Sequence, residues 1–266
     1  MVGELTIPQR QIIEGIEQNK QWFLQTSDIS EILSCSRKQA LFFIRGLIRK
    51  KWLAALGNNH YLLLKTTTKK TKIPHFDPLI IGSYLAEPYY FSYRTAMVYH
   101  GFYRPTPSPV YLVATHSRSQ VTINGVDYRT ISLDPRKFFG FQKISIDHRD
   151  VFMANKEKTM VDCLEKFWYA DGIVPVIVQL KQQIKALDIE RLVEYTVQMH
   201  SSTVIQRLGY LLEQLDVPFD DEFMLSHSSR TLYYFDPYYS CGMRPVRNEK
   251  WNLMVNIPPT LFEKKE

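Results

Sequence analysis

The apolar positions of the first 65 residues follow two different periods. Ile12, Ile13 and Ile16 recur at helical spacing behind Pro8, where a first-turn proline loses no hydrogen bond, and they predict a helix ending near Asn19. Trp22-Phe23-Leu24 reads as a short apolar connector. Ile29, Ile32 and Leu33 give the buried side of a short second helix, capped by Thr26 or Ser27. Ser34-Cys35-Ser36 is a tight link, and Ser36 caps a third helix reaching about Lys51, with Ala40, Ile44, Leu47 and Ile48 facing inward. Two helices joined by a three- to four-residue turn have the helix-turn-helix layout. Two short apolar runs, 53–56 and 61–64, then flank Gly57-Asn58-Asn59-His60 and predict a β-hairpin. Three helices and a hairpin make the winged form of the motif.

From Asp77 the texture changes. Helical patterns cover 78–85 and 93–100, and 110–114 is β-rich. The runs 121–123 and 126–131 flank Asn124-Gly125, the strongest short hairpin signal in the chain. Two further strands are predicted at 144–146 and 151–153. Helices follow over 156–169, 174–186, 189–199 and 202–215, and the tail holds β-like pieces at 231–235 and 251–256. Strands and helices in separate runs argue for an α+β protein: an N-terminal winged helix-turn-helix domain plus a larger mixed α/β C-terminal domain. The boundary falls in 66–72, which lacks apolar residues and reads as an exposed linker. The predicted domains are thus 1–72 and 73–266. No internal repeat or low-complexity tract is present.

Charge sharpens the division. Through residue 75 there are twelve Lys and Arg against five Asp and Glu, a surplus of seven, while the whole chain carries 33 against 27. The remainder is close to neutral. A compact basic helical module on a neutral body is the electrostatic footprint of a nucleic-acid binder, although a solvated basic face has the same composition. At 266 residues and 45% hydrophobic, the chain buries a sizeable core, which excludes disorder. No signal-peptide pattern and no stretch near the ~20 apolar residues of a membrane span is found. Cys35, Cys163 and Cys241 form neither a CxxC pair nor an even framework, which fits a reducing cytoplasm.

If the first module binds DNA, the start of its third helix enters the major groove. Arg37, Lys38 and Gln39 lie there; Arg can bond guanine bidentately, and Gln can pair with adenine. Arg45, two turns on, reaches toward a phosphate. Lys50, Lys51 and the wing residues Asn58, Asn59 and His60 are expected on the backbone, setting register. Phe42 falls outside the inward stripe, so it either meets a thymine methyl or packs on the second domain. A winged helix that binds only protein is the alternative for the module as a whole.

Other strings are decoys. His148-Arg149-Asp150 with Asn155 matches the kinase catalytic-loop pattern, but the glycine-rich loop, the D-F-G and the V-A-I-K are all missing. The seven His have no metal spacing, and no Ser sits in a G-x-S-x-G elbow. No cofactor or metal is therefore expected, and no catalytic residue is assigned. Asp220-Asp221-Glu222 reads as a solvated acidic loop. Of Tyr233-Tyr234-Phe235 with Tyr238-Tyr239, at least half is expected in the core, although such rings can stack on bases. Arg94, Arg104, Arg118 and Arg129 are further candidates for DNA or partner contacts.

One likeness goes further. The segment Ser83-Tyr84-Leu85-Ala86-Glu87-Pro88-Tyr89-Tyr90-Phe91-Ser92-Tyr93-Arg94-Thr95-Ala96-Met97, with His100-Gly101, resembles the AbiEi family of antitoxins from type IV toxin–antitoxin, or abortive-infection, systems. Lys156-Glu157-Lys158-Thr159-Met160-Val161-Asp162, Arg207-Leu208-Gly209-Tyr210-Leu211-Leu212 and the tail from Leu232 to Asn256 are similar to the family's signatures. The resemblance implies a winged helix that binds inverted repeats upstream of its own operon and represses it. It also implies a C-terminal domain that counters a cognate nucleotidyltransferase-like toxin, directly or indirectly. It brings no catalytic residues. One departure is the short wing, Gly57 to His60, which limits its reach to phosphates. A regulator whose C-terminal domain senses a ligand or a protein, with no toxin partner, is the rival expectation.

Overall fold

A computed structural model describes residues 4–67, 71–116, 119–239 and 241–263. Arg118 and the middle of the expected linker, Lys69 and Lys70, lie outside the described residues.

The N-terminal block runs α1 (Ile7–Asn19), β1 (Phe23–Gln25), α2 (Thr26–Ile32), α3 (Arg37–Arg49), β2 (Leu53–Gly57) and β3 (His60–Leu63). The three strands form one antiparallel sheet in the order β1-β3-β2. Ile12, Ile13, Ile16, Ile29, Ala40, Ile44 and Leu47 meet beneath it as a closed apolar core. The expected connector at Trp22-Phe23-Leu24 is instead the start of a strand, which pairs Phe23 with Leu62. Three residues are too few to show a two-residue period, so the pattern alone did not reveal it. Helix α2 starts at Thr26 with Gln25 as its cap, one residue ahead of the predicted start. Asn58 and Asn59 turn the β2–β3 hairpin, both with positive φ (43° and 63°), the conformation that Asn tolerates best among side-chain-bearing residues.

The body begins with α4 (Pro78–Gly82), β4 (Tyr89–Phe91), α5 (Tyr93–Tyr99), β5 (Val110–Ala114), β6 (Ser119–Ile123) and β7 (Val126–Ser132). It continues with β8 (Phe141–Ile146) and β9 (Arg149–Ala154). These strands make a mixed six-stranded sheet, ordered β6-β7-β5-β4-β9-β8. Pairs β5–β7 and β4–β9 are parallel; the others are antiparallel. The Asn124-Gly125 hairpin forms as expected. Strand β4 escaped the pattern because Tyr89, Tyr90 and Phe91 are all buried and so show no alternation.

Helices α6 (Lys156–Glu165), α7 (Ile173–Gln183), α8 (Ile189–Gln198), α9 (Ser202–Gln214) and α10 (Asp221–Ser226) follow. Helix α6 packs against α5, α7, α8 and α9, and every side chain from Glu157 to Leu164 is buried. Its charges are matched inside. Lys158 Nζ lies 2.6 Å from Asp162 Oδ1, with both side chains fully buried. Asp162 Oδ2 also accepts from Ser92 Oγ at 2.7 Å and from the Tyr90 hydroxyl at 3.2 Å. Arg207 of α9 donates to the carbonyls of Phe235 (2.8 Å) and Leu164 (2.9 Å), and burial pushes its pKa down to about 10. The Trp251 ring lies directly over Gly209, where a Cβ would collide with it.

Strands β10 (Tyr233–Tyr234), β11 (Val246–Asn248) and β12 (Leu253–Val255) close the chain as a small sheet in the order β10-β12-β11. Two expectations fail here. The acidic run 220–222 is no loop: Asp220 Oδ1 accepts from the Phe223 amide at 2.8 Å and caps α10, where negative charge suits the helix N-terminus. Of the five tail aromatics only Phe235 is fully buried; Tyr234, Tyr238 and Tyr239 are exposed, so the group is mostly surface.

The N-terminal block sits on the body. Phe23 stacks on Tyr84 (4.8 Å, 20°) and meets Phe76 edge-on, also at 4.8 Å. The Arg149 guanidinium lies 4.8 Å from the Phe23 ring centre and donates to the Tyr84 hydroxyl. A Cβ on Gly57 would come within 3.1 Å of the Leu85 carbonyl oxygen. The described part of 66–72 is tied down rather than free, with Thr67 Oγ1 3.0 Å from Glu17 Oε2 and Thr66 Oγ1 donating to the Thr71 carbonyl at 2.9 Å. Among the described residues no helix is long and apolar enough to cross a membrane.

Candidate nucleic-acid interface

Helix α3 carries the site. Its inward face, Ala40, Ile44 and Leu47, is fully buried, which fixes the opposite face outward. Lys38, Phe42, Arg45 and Arg49 lie on that outer face at spacings of four, three and four residues, and all four are exposed. Arg37 flanks the stripe at the helix start. Phe42 is 72% exposed, its ring touching only Phe43 edge-on at 5.6 Å, so it does not pack on the body. Arg49 was not among the expected contacts. The continuation of the Lys38–Phe42–Arg45 spacing would have pointed to it.

The helix start is pre-formed. Ser36 Oγ accepts from the Gln39 amide at 3.4 Å, and Gln39 Oε1 accepts from the Ser36 amide at 3.0 Å and from its hydroxyl at 2.8 Å. Gln39 therefore spends its carbonyl oxygen on the cap. Bidentate pairing with adenine needs that oxygen and the amide nitrogen together, so Gln39 is placed for capping.

The remaining expected contacts are dispersed. Lys50 Nζ donates to Gln9 Oε1 at 2.8 Å and to the Glu4 carbonyl, which ties α3 to the start of α1. A groove of about 550 Å³ beside it is lined by Pro8, Gln9, Phe42, Arg45 and Arg49, among others. Lys51 is exposed. Asn59 is engaged by Thr26 Oγ1 and by the Tyr61 hydroxyl at 3.4 Å. His60 Nε2 accepts from Gln25 Nε2 at 2.8 Å, and its ring lies 5.0 Å from that of Tyr84. Asn58 and His60 line a second groove, of about 370 Å³, with Tyr84, Glu87 and Asp150 of the body. The two grooves share no residue, so the hairpin tip faces the body while the α3 stripe faces solvent.

The kinase-like string has another use. Asp147 and His148 turn the β8–β9 hairpin with positive φ (46° and 62°). Asp150 pairs with Lys143 on the neighbouring strand at 2.8 Å, and Asn155 Oδ1 caps α6 by accepting from the Lys158 amide at 2.8 Å. Among the other candidate arginines, Arg94 is buried, paired with Asp171 and 5.1 Å from the Tyr103 ring centre. Arg129 lies 5.9 Å from the Tyr111 ring centre, and Arg104 is exposed.

No protein-family model matches the chain, and no curated protein matches it either. Its fold is similar to that of the RV2827C protein from Mycobacterium tuberculosis. The likeness covers 97% of this chain and 94% of that one, with a TM-score of 0.61 and 12% sequence identity. At that identity the likeness speaks for the fold alone: a mixed α/β architecture shared along nearly the full length of both chains.

Proposed function

We propose that this chain is a DNA-binding antitoxin of the cytoplasm, an autorepressor that counters a nucleotidyltransferase-like toxin and has no catalytic step of its own. Residues 7–63 act as its winged helix-turn-helix. The carrying observation is the α3 stripe: Lys38, Arg45 and Arg49, with Arg37 beside them, project from a helix whose other face is locked in the core. Arginines at that helix start suit guanine edges, and the lysine and later arginines suit phosphates. The toxin half of the reading rests on the likeness to AbiEi antitoxins in the segments around Tyr84–Met97 and Lys156–Asp162. The deep engagement of Asn59 and His60 argues that the hairpin contributes little to the backbone contacts.

The test is fluorescence anisotropy of the full chain on its own upstream DNA at several salt concentrations, with scrambled DNA as control. Arg37→Ala/Lys38→Ala is expected to lower affinity at least about tenfold and to reduce the salt slope by about two, one per phosphate-class charge removed. Equal binding by wild type and variant would remove α3 from the interface. A second reading, regulation by a ligand, is favoured by the 370 Å³ groove between the hairpin tip and the body. A neighbouring gene whose toxicity this chain relieves would decide for the antitoxin.

A further inference from the structure

The exposed apolar side chains are not scattered. Of the twelve large ones among the described residues, six fall between 232 and 246, and Trp168 joins them through Tyr238. Clustering of that kind marks an interaction surface rather than the usual background of single exposed rings.

The strand register shows how the patch is laid out. Tyr234 of β10 pairs with Met254 of β12, and Met254 pairs with Arg247 of β11. Paired residues on neighbouring strands point to the same face, so Tyr234, Met254 and Arg247 form one row across the small sheet. Their chain neighbours Phe235 and Leu253 point the other way and are fully buried. Tyr239 lies against Tyr234, ring centres 5.2 Å apart, and Trp168 meets Tyr238 edge-on at 5.7 Å. The row thus continues into a strip of rings.

The charge is one-sided. Between 230 and 248 the bases are Arg230, Arg244 and Arg247, all exposed and none in an ion pair among the described residues. The only acid in that segment, Asp236, is fully buried. Like charges disfavour a second copy of the chain on this face, and the free arginines call for a polyanion. A sheet face with exposed rings in register and arginine beside them suits unpaired bases, whose flat faces stack on aromatics while the phosphates meet arginine. Duplex bases are already stacked and give such rings nothing to hold. The tyrosine hydroxyls add partners for a ribose 2′-hydroxyl, which favours RNA over DNA.

We infer that this face, built on Tyr234, Tyr239 and Arg247, binds single-stranded RNA. The site is separate from the α3 stripe and does not depend on the reading of that helix.

The test uses the full chain and a fluorescein-labelled, mixed-sequence 12-nucleotide RNA, with single-stranded DNA of the same sequence and duplex upstream DNA as the other arms. Tyr234→Ala/Tyr239→Ala, and separately Arg247→Ala, are expected to weaken RNA binding at least about tenfold for the double variant and to leave duplex binding unchanged. Arg37→Ala/Lys38→Ala is expected to do the reverse, or to change nothing on RNA if α3 binds no DNA at all. Unchanged melting temperatures of the patch variants establish that they fold. RNA binding that survives the double variant, or tighter binding of the single-stranded DNA, overturns the inference. So does wild type with no measurable RNA affinity, which would give the patch to a protein partner.

Discussion

Asp162 holds three donors at once: the Lys158 ammonium, the Ser92 hydroxyl and the Tyr90 hydroxyl, all inside the body. Removing the charge of one buried partner strands the other, at about 3–5 kcal/mol. Asp162→Asn is therefore expected to lower stability by that amount in urea unfolding, while Lys158→Met/Asp162→Asn recovers part of the loss by removing the stranded cation. His100 gives a pH-dependent counterpart. Burial depresses its pKa, its Nε2–H donating to the Ala154 carbonyl at 2.8 Å. The folded state then prefers the neutral ring, so the unfolded chain binds more protons below the ordinary imidazole value of about 6.5. Stability is retained above that value and falls as the pH drops through it toward the depressed folded value. Melting curves between pH 8 and 5 should show the decline, and His100→Gln, which keeps an amide donor, should flatten it.

At the level of elements, the sequence was legible where one face is buried and the other wet. The Ala40–Ile44–Leu47 stripe and the Asn124-Gly125 turn produced the helix and the hairpin they predict. Legibility failed where burial erased the period, as at Tyr89-Tyr90-Phe91, or where an element was too short to show one, as at Phe23–Gln25. It failed again where polar residues serve local structure: the acids at 220–222 cap a helix, and Asn155 of the kinase-like string caps another. The α3 site was half legible. Its charges were visible, but the capping duty of Gln39 and the tether from Lys50 to Gln9 arise only once the helices pack. Ser36→Ala should cost about 1 kcal/mol by removing the cap. It should also free the Gln39 carbonyl, so a change in base preference at one operator position, read by anisotropy on single-base variants, is the expected companion effect.

For the whole molecule, the predicted linker proved the weakest guide. Composition marked 66–72 as a hinge, yet the N-terminal block meets the body through Phe23, Tyr84, Arg149 and the close approach of Gly57 to Leu85. Those contacts join residues 60 or more apart in sequence, which no local pattern carries. With the hairpin tip seated on the body, helix α3 has little freedom to pivot on a tether. In a repressor that places two copies on one operator, the angle and separation of the paired reading helices would then be dictated by the body's own surface. The tolerated distance between half-sites would be written in residues that never approach the DNA.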